Sequence, residues 1–168
     1  MTWAILATGP SMSRALADSV RSVKTIAVSD AFRLAPWADA LVSADRKWWT
    51  ANPDARQFAG QKYMAMRDLD DQVERVNTSI NGINSGLLAL HVAVKLGAKR
   101  ILLLGFDMHG GHFFGPHAEP LSNTTEKRFE VFKRQFAAYR PAGVEILNCT
   151  PGSSLNCYPM ANLEDVLC

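Results

Sequence analysis

Short apolar runs recur along the chain at residues 3–7, 25–28, 40–42, 62–66, 101–105 and 144–147. Each has the length of a buried strand, and polar or glycine-bearing stretches separate them. Helical spacing fills three of the intervals. Residues 11–20 open on Ser11, a suitable N-cap; residues 86–96 follow an Asn-Ser-Gly turn and stop at Gly97. Residues 125–139 put Phe129, Phe132, Phe136 and Tyr139 on one face and Lys127, Glu130, Lys133 and Arg134 on the other. Strands alternating with helices predict an α/β fold, a single Rossmann-like domain over residues 1–168 with a mostly parallel sheet and helices on both faces. The run "AKRILLLGFD" is continuously apolar where it is apolar at all, as a central parallel strand requires.

Composition narrows the class without naming a chemistry. At 168 residues a single domain buries roughly 70% of its unfolded surface. With 48% hydrophobic residues, 20% charged and a net charge of +2, the chain reads as an ordinary globular protein. That balance does not point to nucleic acid or to an anionic membrane. Arg128, Lys133, Arg134 and Arg140 alternate with Glu126 and Glu130, the pattern of a solvated helix face. The opening "MTWAILATGPS" has no basic n-region, and no run approaches the roughly 20 apolar residues of a membrane span. Cys149, Cys157 and Cys168 form no CxxC pair, which points to reduced thiols and a cytoplasmic protein without a zinc site. Nothing in the chain speaks against a homo-oligomer.

Candidate chemistry gathers at the predicted strand ends. In open α/β sheets the ligand crevice lies beyond the carboxyl ends of the strands. "ATGPS" places Thr8, Gly9, Pro10 and Ser11 in the first such turn, suited to an anion or simply to a tight turn with Ser11 capping. It is neither a P-loop nor GxGxxG. Ser29 and Asp30, Asp45, Asp107, and the segment Thr150, Pro151, Gly152, Ser153 fall at other strand ends, and Asn84, Ser85 and Gly86 open a helix. Such a set can hold a ribose hydroxyl, a base edge or a Mg²⁺ ion, and each member can equally serve as a cap or Asx-turn.

Three histidines follow Asp107 in "HGGHFFGPH". Their spacing fits no zinc motif. A loop histidine over a crevice suits general base catalysis, and Gly110, Gly111 and Gly115 would let such a loop close. His109, His112 and His117 are the candidates, and any one of them can equally be a surface histidine without a role. His91 sits mid-helix as packing. Of Trp48 and Trp49, at least one belongs to the core.

The segments "TGPS", "NSGLLALHVAVKLGAKRILLLGFD" and "EILNCTPGSSLNCYPMANLEDVL" resemble the bacterial sialyltransferases that use CMP-activated sialic acid. They are also similar to the hydroxymethylpterin diphosphokinase-like proteins, which share the Gly-Pro-Ser turn and an Asp after the third strand, and to short phage-encoded members of that superfamily. The first resemblance implies a metal-independent glycosyltransferase with a nucleotide-sugar donor and an unspecified acceptor. Thr8 to Ser11 would line phosphates, Ser29 and Asp30 the nucleotide, and Asn84 to Gly86 phosphate or sugar. Thr150 to Ser153 would hold base and ribose, His117 (or His112) would be the general base, and His109 would meet the leaving phosphate. The second implies Mg²⁺-dependent pyrophosphoryl transfer with Asp30, Asp45 and Asp107 around the metal. A non-catalytic nucleotide-binding protein is the third expectation. The first-turn asparagine of the sialyltransferases is Thr8 here, and their two loop tyrosines have no counterpart beyond His109, Phe113 and Phe114.

Overall fold

The computed structural model describes residues 1–65 and 71–167. Its strands are β1 (Thr2–Leu6), β2 (Lys24–Val28), β3 (Ala40–Val42), β4 (Gln61–Met64), β5 (Glu74–Arg75), β6 (Arg100–Leu104) and β7 (Glu145–Asn148). They form one sheet in the order β5-β4-β3-β2-β1-β6-β7, and every pairing is parallel. The chain winds outward from β1 to β5, then crosses back to build β6 and β7 on the other side. The direction of winding therefore reverses at β1 and β6, where open α/β sheets carry their ligand crevice. The α/β expectation stands, with an all-parallel sheet.

Among the described residues, α-helices α1 (Arg14–Asp18), α2 (Arg46–Ala51), α3 (Ser85–Lys95), α4 (Glu126–Ala138) and α5 (Leu163–Val166) accompany the sheet. Alternate residues of the inner strands feed opposite cores. Trp3, Ile5, Ile101 and Leu103 pack with Leu87, Leu88 and Leu90 of α3 and Phe136 of α4. Ala4, Leu6, Leu102 and Leu104 pack with Ala17 of α1, Trp48 and Trp49 of α2 and Phe32. This two-sided burial is why "RILLL" shows no alternation.

Several expectations shift in detail. β5 is a two-residue, exposed edge strand with no apolar signature. α1 begins at Arg14 and not at residue 11, because Ser13 is its cap and accepts from the Leu16 amide at 3.1 Å. Both tryptophans are core residues, Trp48 at 3% and Trp49 at 1% exposure. The aromatic face of α4 divides: Phe136 is fully buried, whereas Phe129 and Phe132 are half-buried at the edge of a cavity. Met66, the expected end of the fourth strand, and Cys168 lie outside the described residues. Cys149 and Cys157 are free thiols, and burial pushes Cys149 up to about 11, so it carries little thiolate at neutral pH. Among the described residues no helix is long and apolar enough to cross a membrane.

Candidate functional site

A cavity of about 870 Å³ runs along the carboxyl edge of the sheet, within the range usual for small-molecule and cofactor sites. Of the residues singled out in the sequence, Thr8, Gly9, Ser29, Asp30, Asp45, Asn84, Ser85, Gly86, His109, His112 and His117 line it. Pro10, Ser11, Asp107, Thr150, Pro151, Gly152 and Ser153 are not among its lining residues.

The reasons for that division are local. The Gly9 amide donates to the Gly105 carbonyl at 2.9 Å, so it is spent on the β1–β6 junction and not held out toward an anion. A Cβ on Gly9 would stand 1.9 Å from Asp107 Oδ2 and 2.4 Å from the Gly105 carbonyl oxygen. Glycine is therefore required by close packing against β6. Ser11 Oγ donates to Asp107 Oδ2 at 2.8 Å, which makes Ser11 and Asp107, the latter 4% exposed, a clamp beneath the turn. Thr150 Oγ accepts from the Phe106 amide at 3.1 Å, and Ser153 Oγ donates to the Phe106 carbonyl at 2.5 Å. The segment expected to hold base and ribose thus latches the end of β6.

The carboxylates are occupied as well. Asp30, 8% exposed, accepts from Trp48 Nε1 at 2.9 Å and pairs with Arg33 at 3.4 Å. Asp45 caps α2, accepting from the Lys47 amide at 2.9 Å, and is exposed at the cavity rim. With Asp107 beneath the turn, Asp30, Asp45 and Asp107 do not fit a three-carboxylate magnesium centre. No group of three or more potential metal ligands occurs among the described residues.

What converges instead is positive charge and imidazole. Asn84 caps α3, accepting from the Leu87 amide at 2.9 Å, and Ser85 Oγ accepts from the Ala44 amide at 2.9 Å. These two bonds fix the first turn of an eleven-residue helix in the cavity wall, above the end of β3. Unpaired first-turn amides and the helix dipole favour an anion there. Arg46, Arg75 and Arg128 reach the same cavity from α2, β5 and α4. Each is exposed, and none has a carboxylate partner among the described residues. Arg128 lies over the Phe132 ring at 5.4 Å, so part of the α4 face expected to be merely solvated belongs to this wall.

The histidine loop lines the same cavity. The His112 and His117 rings are 4.5 Å apart, and Phe114 stacks on His112 at 4.8 Å with 5° between planes. Burial, then the neighbouring His117, hold His112 below the ordinary histidine value. His109 is exposed and meets the Gly152 carbonyl through Nε2 at 3.1 Å. His91 lies elsewhere, stacked on Tyr139 at 4.2 Å.

Two backbone outliers mark the same place. Ser29 (φ 47°) and Met108 (φ 56°) are the non-glycine residues with positive φ among those described, and both line the cavity. Left-handed backbone at such residues costs on the order of 1–3 kcal/mol and concentrates at functional sites. Ser29 Oγ thereby meets Ser43 Oγ at 2.9 Å, a hydroxyl pair across the ends of β2 and β3. Ser43 and Arg46 stand at the end of β3, where a search of strand ends finds them, whereas Arg75 and Met108 carry no such signal in the sequence.

No family model matches the chain, and no curated protein matches it. Among solved structures it is similar to thiamin pyrophosphokinase from Geobacillus thermodenitrificans, at 19% identity and a TM-score of 0.44, covering 87% of this chain and 59% of that one. The chain thus spans less than two thirds of that enzyme's length, and a likeness of this degree carries no argument about activity. The comparisons bring no support for the sialyltransferase resemblance.

Proposed function

We propose that the cavity binds a nucleotide or nucleotide-sugar and that the protein transfers a group from it, with a loop histidine as general base. The observation carrying this reading is that three arginines without carboxylate partners among the described residues share one cavity with a histidine pair and the first turn of α3. Arg46, Arg75 and Arg128 suit phosphate oxygens, to which a guanidinium offers paired donors. As a phosphate departs, those charges and the α3 amides stabilise the developing negative charge. A neutral imidazole at the other end deprotonates an acceptor hydroxyl, a role worth about 10²–10⁴-fold. Phe129 and Phe132 offer apolar faces for a base or sugar. In its finer form the transferred group is a glycosyl unit and no metal is needed.

Pyrophosphoryl transfer is the second reading. Asp45, exposed on the rim directly before Arg46, favours it, since Mg²⁺ brought by nucleotide phosphates needs only one or two protein carboxylates.

The test is release of free nucleotide from CMP-, UDP- and GDP-sugars and from ATP, with and without Mg²⁺. Metal-independent release from a nucleotide-sugar, lowered about 10²–10⁴-fold by H112N or H117N, is expected. Strictly Mg²⁺-dependent use of ATP would move the assignment to pyrophosphoryl transfer. Binding without turnover of any donor would leave a nucleotide-binding protein and overturn catalysis.

A further inference from the structure

The cavity follows the carboxyl edge of the sheet, so the strand order sets the order of the groups along it. Arg75 stands in β5, Ala65 just past β4, Arg46 past β3, Ser29 past β2 and Thr8 past β1, and all of them line the cavity. His112 is held at the β1 end, its Nδ1 2.8 Å from Thr8 Oγ1. The start of α3 is held over β3, because Ser85 Oγ accepts from the Ala44 amide at 2.9 Å. Neighbouring strands lie about 4.8 Å apart, so Arg75 is rooted roughly 10 Å to one side of the α3 start and His112 is tied roughly 10 Å to the other.

A single phosphate over the α3 start answers the first-turn amides and Arg46. It leaves Arg75 unmatched. The adjacent Glu74 pairs with Lys95 at 3.0 Å, and no carboxylate among the described residues pairs with Arg75. Ala65, between Arg46 and Arg75, ends in one methyl group and leaves that span open. We propose that the ligand carries a second phosphate at Arg75, as a diphosphate laid along the β3–β5 edge with its reacting phosphate over α3. A carboxylate on the transferred group does not answer for Arg75, since that group has to face the histidines at β1. In a nucleoside diphosphate donor the phosphate next to the transferred group lies over α3, and the phosphate next to the nucleoside meets Arg75. A nucleoside monophosphate donor would bring an uncharged ribose there instead. The nucleoside rests on the reading proposed above; the preference for a diphosphate does not.

Titration calorimetry on the full chain, without metal and at one fixed ionic strength, decides it. CMP, UMP, GMP and AMP are each compared with their diphosphates, and orthophosphate with pyrophosphate. The diphosphate is expected to bind about 10-fold more tightly or better than its monophosphate, the worth of one charge-assisted contact. R75A should bring that ratio close to one while the melting temperature holds, because Arg75 is exposed on an edge strand. R46A should weaken both members of each pair. Equal affinities in the wild type, or a ratio unchanged in R75A, would overturn the second phosphate and leave the nucleotide reading intact. Pyrophosphate binding without any nucleotide would defeat the nucleotide reading and uphold the diphosphate site. No binding by any of these ligands would overturn both.

Discussion

Gly9 shows what a single residue contributes and how little of the reason is local. The sequence "TGPS" announces a tight turn, and a tight turn is what forms. The requirement for glycine comes from Asp107 Oδ2 and the Gly105 carbonyl, both about a hundred positions away, which a Cβ would meet at 1.9 and 2.4 Å. One obstructing atom is backbone, so the strain cannot be relieved by a rotamer change alone. G9A is therefore expected to lower stability by about 1–3 kcal/mol, read as a reduced midpoint in chemical denaturation. A midpoint equal to wild type would mean that the turn moves freely away from β6. The same long-range logic explains why some candidate residues do not line the cavity. Ser11, Asp107, Thr150 and Ser153 look like ligand residues because they are polar and stand at strand ends, yet Ser11 binds Asp107, and Thr150 and Ser153 bind the Phe106 backbone just past β6.

At the scale of elements, β1, β2, β3, β6 and β7 were legible because each is built around a short apolar run, and α3 and α4 because of their helical spacing. β5 was not, since an exposed two-residue edge strand has no pattern to read. α2 was hidden because its buried residues are the adjacent Trp48 and Trp49 within only six residues. α3 also carries a testable electrostatic feature. Burial lowers His91 on this helix and His112 on the loop below the ordinary value of 6.5. Between the depressed folded value and 6.5 the unfolded chain binds more protons than the folded one, so stability rises with pH. Their contribution is fully present above about pH 6.5 and is lost as pH falls through the folded values. Melting temperature should therefore decline from pH 7 toward pH 5, and H91Q should make that decline shallower. An identical slope in H91Q would show that His91 protonates in the folded state without penalty.

On the scale of the whole molecule, topology assembles the site: winding outward from β1 and then back to β6 brings the loop histidines, the α3 start and three arginines to one edge. Convergence at strand ends could be anticipated from the α/β pattern alone. Which ends are open and which are latched could not, because that depends on bonds between segments far apart in sequence. Whether this edge is a nucleotide site is decided by a thermal-shift panel. CMP, CDP, UDP, GDP, ATP and their sugar conjugates would each be measured with and without Mg²⁺, on wild type and on R46A/R128A. Binding at 100-fold over the dissociation constant stabilises by about 2.7 kcal/mol, a readily measured shift. Such a shift is expected for at least one nucleotide, diminished in the arginine variant while its own melting temperature stays near wild type. No shift with any nucleotide, or an undiminished shift after both arginines are removed, would contradict it.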